Sequence, residues 1–318
     1  MKPSELLKQW HYGTLSRDGY AQILRDKFYE LEDWAEMLDE SDVKEIRIET
    51  RGITITSRWS GARFYCRFDD PRTPPVVALA FGSYERLEMQ TLREIWVDSA
   101  TFIDVGANVG WYAVQAAVVN PRLRVIAIEP ANVTVTALHR NIELNDVKVE
   151  VEHRGLGDAS GTATLTVSAS RTDAASLKPS REYPYQMHES IEMTTLDELC
   201  SSLGIVPDLI KIDVEGAELP VLSRGVEVLT EARPVVMAEM LRLHSASFGY
   251  HPNEIIELMS GLGYRCFASA GTYWRPFENM SDSTIETNFL FLHRERHKSI
   301  MSSWSDSSGN LVPPRMEV

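Results

Sequence analysis

From about Tyr84 to His293, short apolar runs alternate with segments of helical periodicity, and such alternation is the mark of βαβ units around a parallel sheet. TFIDV precedes the helical GWYAVQAAVV, RVIAIE precedes VTVTALHRNIEL, and VKVEV follows as a third strand. LIKIDV and PVVMAEM come later as two more buried strands, with the helical ELPVLSRGVEVL between them. EIIELMSGLGY predicts a helix ending at Gly261 or Gly263, and NFLFLHR a last strand. No internal repeat interrupts the pattern, and the fold class it predicts is α/β, Rossmann-like and doubly wound.

Composition narrows what such a fold can serve. With 46 acidic against 32 basic residues the chain carries a net charge of −14, which works against holding a polyphosphate backbone and argues against a nucleic-acid substrate. Cys66, Cys200 and Cys266 lie far apart and form no C-x-x-C pair, so they read as thiols of a reducing compartment rather than zinc ligands or a disulfide framework. MKPSELLKQW has no apolar signal-like core, and no stretch approaches the roughly 20 apolar residues that span a bilayer. The expectation is a cytoplasmic protein without a membrane partner.

Residues 1–80 precede the alternating region. Tyr20, Ile23, Leu24, Phe28, Leu31, Trp34, Ala35 and Leu38 recur at three- and four-residue steps, predicting an amphipathic helix from Arg17 to about Asp39 with an acidic exposed face. Ile46/Ile48, Ile53/Ile55, ARFYCRF and VVALAF then read as short antiparallel strands, the last two separated by Pro71, Pro74 and Pro75. Within the main region, taken as 81–298, the stretch 168–190 is polar and unperiodic and reads as an inserted loop and candidate lid. Residues 299–318 are rich in Ser, Pro and Gly and read as a flexible tail.

The densest chemical signal is Asp104-Val105-Gly106-Ala107-Asn108-Val109-Gly110, between a strand and a helix. Glycines at such a turn let the backbone approach a ligand and leave helix N-terminal N–H groups free to point at it. A dinucleotide fingerprint with Gly106 as its first glycine would need glycine at 108 and 111, where the chain has Asn108 and Trp111. Glu129 ends the second strand, 19 residues beyond Gly110, close to the spacing at which a carboxylate meets ribose hydroxyls in these folds. Asp104 would repel a pyrophosphate, whereas S-adenosyl-L-methionine, with a sulfonium and an ammonium, suits an acidic crevice.

DVGANVG, AIEP, LGD and IKIDVEGAELPVL, with GSYE ahead of the first strand, together resemble the FkbM family of S-adenosylmethionine-dependent methyltransferases. The resemblance runs from roughly Phe81 to Met240 and more weakly on to about His293. It implies a seven-stranded sheet with the last strand antiparallel. It also implies that Asp104, Gly106, Ala107, Asn108 and Gly110 surround the methionine part of the cofactor, with Glu129 and the adjoining Pro130 at its ribose. Asp158 would approach the adenine amine or simply cap the turn GDASG. Asp213 would lie near the sulfonium or the incoming substrate.

Lys211, Asp213 and Glu215 alternate with Ile212 and Val214 and so share one side of an extended strand, an arrangement that is costly unless paired or functional. An ion pair within the triplet accounts for Lys211. Glu239 ends PVVMAE and points to the same rim. A hydroxyl acceptor must lose its proton during methyl transfer, and Asp213, Glu215, Glu239 and His244 are the catalytic candidates, with His153 and His251 behind them. Asp213 and Glu239 could hold a divalent cation, a less favoured reading because no third ligand is recognisable. Tyr183, Tyr185, Tyr273 and Trp274 are candidates for an apolar substrate mouth.

The function these residues predict is methyl transfer from S-adenosylmethionine to a hydroxyl of a small-molecule metabolite, such as a sugar or polyketide, with a homo-oligomer left open. The rivals are a nicotinamide-dependent oxidoreductase on the same fold and a non-catalytic module that keeps the cofactor site but acts through partners.

Overall fold

The computed structural model describes residues 2–168, 171–179 and 186–314, apart from the side chains of 173 and 174. Two helices, α1 (Pro3–His11) and α2 (Arg17–Asp39), lead into the strands β1 (Val43–Glu49), β2 (Gly52–Ser57) and β3 (Arg63–Tyr65), which form a small antiparallel sheet. Helices α3 (Pro74–Phe81) and α4 (Arg86–Asp98) then carry the chain to the main sheet. There β4 (Thr101–Val105), α5 (Trp111–Val119), β5 (Arg124–Ile128), α6 (Asn132–Asn145) and β6 (Glu150–Glu152) make the first half.

A four-stranded annex follows, of β7 (Gly155–Leu156), β8 (Gly161–Ser168), β9 (Arg171–Ser176) and β10 (Gln186–Thr194), in the order β7-β10-β8-β9. The second half comprises α7 (Leu196–Leu203), β11 (Leu209–Ile212), α8 (Glu218–Ser223), α9 (Val226–Glu231), β12 (Val235–Glu239), α10 (Arg242–Phe248) and α11 (Asn253–Gly261). It closes with β13 (Tyr264–Ser269), β14 (Trp274–Phe277), β15 (Asn288–His293) and α12 (Lys298–Trp304).

The main sheet runs β14-β13-β15-β12-β11-β4-β5-β6. Strands β6, β5, β4, β11 and β12 are parallel, and β15 is antiparallel to both β12 and β13. The seven strands other than β14 therefore have the predicted arrangement, with the last in chain order reversed. β14 is an eighth, antiparallel edge strand that hairpins off β13.

Successive residues of a strand point to opposite faces, and here each face meets helices. Phe102, Leu209, Val235 and Leu290 belong to one apolar cluster with residues of α4 and α5. Their neighbours Ile103, Ile210, Val236 and Phe291 belong to a second cluster with residues of α7, α8 and α11. This double burial is why the strands are apolar throughout rather than alternating.

Several expectations are corrected. VVALAF is helical, as part of α3: Pro74 and Pro75 occupy its first turn, where a missing N–H costs nothing, and an all-apolar run has no periodicity to separate strand from helix. The stretch 168–190 is not one loop, since β9 and β10 lie within it; Tyr183 and Tyr185 fall outside the described residues. Nor does the chain trail into solvent over 299–314: α12 docks, Leu311 bridges to Trp274, and Trp304 and Leu311 join the main core. Trp274 is itself fully buried, donating its indole N–H to Thr91, so it is core rather than substrate mouth. Residues 1–80 likewise share this core through Val43, Ile55, Phe64 and Ala78.

Candidate functional site

The strand order reverses direction between β4 and β11, and their carboxyl ends open a crevice of the kind in which α/β sheets bind ligands. A cavity of about 830 Å³ lies there, walled by the 105–108 loop, Glu129 and Pro130, the ends of β11 and β12, α3, and Ala175 to Leu177 beside β9. No helix among the described residues is long and apolar enough to cross a membrane.

The glycine loop is held from below. Gly106 and Ala107 donate their N–H groups to the Ile128 carbonyl at 2.9 and 3.0 Å. Gly106 has φ +80°, and a Cβ there would stand 1.8 Å from the Asp213 carbonyl oxygen, so only glycine fits between the two strand ends. Gly110, at φ +86°, presses against Leu138. Asn108 also adopts a left-handed φ of 50°, and among the described residues its buried Oδ1 has no partner. A buried acceptor aimed into a ligand crevice suits a donor such as an ammonium group.

Glu129 ties the glycine loop to the start of α6. One carboxylate oxygen accepts the Asn108 N–H at 2.9 Å; the other accepts from Ala131 N–H at 2.9 Å and the Thr134 hydroxyl at 2.8 Å. Burial raises its pKa, partly opposed by those donors. It still lines the cavity, as do Pro130, Ala107 and Asn108.

Asp104 lies deeper than the sequence suggests. It is 1% exposed, accepts the Ala113 N–H at 3.0 Å within α5, and is absent from the cavity wall, as is Gly110. Burial pushes its carboxyl up to about 6, against the pull of the nearby Lys211 ammonium. Asp158 is exposed in the bend after β7 and away from the cavity. His153 and His251 are exposed and likewise absent from its wall.

The four catalytic candidates come together. Asp213, Glu215, Glu239 and His244 all line the cavity. Lys211 reaches 2.9 Å to Asp213, the ion pair expected within the triplet. Burial alone would raise Asp213, but the Lys211 ammonium outweighs it and holds the carboxyl low. Glu239 is driven well above the usual carboxylate range by burial and by the negative charge of Asp213, so the proton of this pair rests on Glu239. His244 Nδ1 lies 2.7 Å from Glu215 Oε2, and that hydrogen bond raises the imidazole pKa. Glu215 itself sits in a left-handed turn, φ 54°, beside Gly216, whose missing side chain lets the α10 backbone at His244 approach.

Ligand oxygens of Asp213, Glu215 and Glu239 lie within 4.8 Å of one another. The third carboxylate that the sequence did not reveal as a metal ligand is thus Glu215, which the turn after β11 swings toward Glu239.

One participant was not singled out as a site residue from sequence. Glu85, the last residue of GSYE, is held at φ 46° at the start of α4 and is hydrogen-bonded by the Tyr112 hydroxyl and by Asn288 Nδ2 at 2.9 Å. Burial raises its carboxyl to about 7, opposed by Lys211. Lys211 is therefore ringed by Asp213, Asp104 and Glu85, which keep it protonated against the cost of burial. The signal available in the sequence was an acidic residue closing a motif just ahead of an amphipathic helix.

The Methyltransferase FkbM domain matches residues 104–266. Methyltransferase 1 of Beauveria bassiana is 32% identical over 149 residues, covering 41% of this chain and 59% of that protein, so the chain spans less than two thirds of it. The hexuronic acid methyltransferase AglP of Haloferax volcanii is 25% identical over 209 residues, 58% of this chain and 80% of that protein. A crystal structure of Methyltransferase FkbM from Methylobacillus flagellatus aligns at 17% identity over 61% of this chain and 44% of that one, with a TM-score of 0.39. The matched segment takes in the glycine loop and the ends of β5, β11 and β12, which form much of the crevice wall, and the chain belongs to the FkbM methyltransferase family.

Proposed function

We propose that this chain transfers a methyl group from S-adenosylmethionine to a hydroxyl of a polar small molecule, with His244 as general base. The observation that carries this reading is the His244–Glu215 pair on the wall of the cavity that the glycine loop opens into. Fit of the cofactor rests on the cradle that a Cβ at Gly106 would fill, the unpartnered Asn108 Oδ1, and a wall carrying Glu129 and Asp213. These residues would hold it, with Asp213 set to balance a cationic centre.

When bound, the cofactor supplies a methyl group activated by positive charge on sulfur. Glu215 accepts the His244 Nδ1–H, which leaves Nε2 as the basic nitrogen; there the acceptor hydroxyl leaves its proton. Lys211 keeps Asp213 ionised, and Glu239 retains a proton, so the reacting end carries fewer negative charges than its residues could bear. Methyl transfer needs alignment and exclusion of water above all, and the apolar wall of Val76, Val77, Leu241 and Leu243 serves that end.

A hydroxyl suits this site better than a carboxylate as the reacting group, since three carboxyl side chains already crowd it. The sugar-directed name of one relative supports screening sugars first. Calorimetric titration with S-adenosylmethionine and, separately, NAD tests the cofactor. Binding of the former alone, followed by methylation of a member of a hydroxylated-metabolite panel, is the expected result. A folded protein that binds neither would overturn the reading in favour of an interaction module.

A further inference from the structure

α2 is 23 residues long, and not one of them is buried. Ile23, Leu31 and Trp34 lie on one side of it, with Phe28 at the margin, and they are 36, 53, 41 and 58% exposed. The stripe is covered only at its ends. Trp10 of α1 stacks on Tyr20, with ring centroids 5.5 Å apart and planes at 15°, and Leu38 packs against the main core. Between them about three helical turns face solvent, apolar except where Lys27 lies among Ile23, Leu31 and Trp34.

The charges beside this stripe say what covers it. The amino-terminal half of α2 carries Arg17, Arg25 and Lys27 against two acids, whereas 30–39 holds five acids and no base. By helical geometry Lys27 lies within the stripe, one turn from both Ile23 and Leu31, and Glu30 lies at its edge one turn from Trp34, whereas Arg25 and Glu32 turn to the opposite face. Two copies laid antiparallel, with each Ile23 opposite the partner's Trp34, would bring each Lys27 beside the partner's Glu30. A parallel pair would set the two acidic halves side by side. An anionic membrane, the other common host of an amphipathic helix, would be repelled by the acidic half.

We propose that α2 is the dimer interface of this protein, pairing antiparallel with α2 of a second copy about a two-fold axis. The apolar stripe supplies attraction, and the reversed charge halves select the orientation.

Sedimentation velocity of the full chain over a range of micromolar concentrations tests this. The expected result is a dimer that Leu31→Glu/Trp34→Glu converts to a folded monomer, because both side chains are exposed in the single copy. Lys27→Glu and Glu30→Lys should each be largely monomeric, and an equimolar mixture of the two should restore the dimer. A monomeric parent protein, or a dimer indifferent to Leu31→Glu/Trp34→Glu, would overturn the proposal. Loss of the dimer in that variant, with the charge variants still dimeric, would overturn the antiparallel pairing.

Discussion

His244 Nδ1 lies 2.7 Å from Glu215 Oε2, on the wall of the cavity that also receives Gly106 and Asn108. The pairing depends on a left-handed Glu215 and on the absence of a side chain at Gly216, so a backbone turn, rather than a strand, aims the carboxylate at the imidazole.

If His244 acts as the base, only its neutral form works, and Glu215 stabilises the charged one. The rate should therefore rise with pH through an apparent pKa above that of free histidine. Glu215→Gln should move this limb to lower pH, and His244→Ala should lower kcat by about 10²–10⁴-fold. A pH–rate profile of the three proteins checks this, and an unmoved limb in Glu215→Gln would rule out the pairing as its origin.

The Asp213, Glu215 and Glu239 oxygens could also share a divalent cation. With histidine as the base, activity should survive dialysis against EDTA. Loss on chelation, restored by magnesium, would instead assign the carboxylates to a metal that activates the hydroxyl.

Gly106→Ala should abolish cofactor binding and destabilise the fold. The left-handed backbone alone costs roughly 1–2 kcal/mol for a non-glycine residue, and the new methyl would stand 1.8 Å from the Asp213 carbonyl. Chemical denaturation with calorimetric titration of the same sample separates the two losses.

Lys211 is the cation among Asp104, Asp213 and Glu85. Lys211→Met should cost about 3–5 kcal/mol at pH 8, the usual penalty for removing one partner of a buried charge pair. The loss should shrink toward pH 5. Both Asp104, at about 6, and Glu85, at about 7, have raised pKa values, and such carboxyls favour the fold while protonated and cease to as pH rises through those values. Urea unfolding at the two pH values reads this directly.

Asp70, fully buried, accepts hydrogen bonds from the Thr172 N–H at 2.9 Å and the Thr172 hydroxyl at 2.5 Å, tying β9 to the segment before α3 across the cavity mouth. Asp70→Ala should speed amide hydrogen exchange over 171–176 and weaken acceptor binding by roughly tenfold, the loss of about 1–2 kcal/mol expected for buried hydrogen bonds. Unchanged exchange would show that β9 is held by its own sheet alone.

What could be read from the chain without its fold is whatever is local or periodic. The glycine loop, the strands TFIDV and LIKID and the acidic strand ends are legible because turn geometry and double burial dictate residue type within a few positions. The candidates Asp213, Glu215, Glu239 and His244 were found the same way, by following strands to their carboxyl ends, and they do line one cavity. The tertiary structure decided the rest. Asp104 reads as a cavity residue, yet it turns down to α5 and Lys211, because whether a strand-end side chain meets ligand or helix depends on what packs beneath. Glu85 joins the buried charges through Asn288, 203 residues away, and VVALAF became a helix on the cavity wall. The docking of Trp304 and Leu311 on Trp274 has the same character. Contacts of that range are set by which surfaces meet when the core closes, and no pattern within a few turns of the chain encodes them.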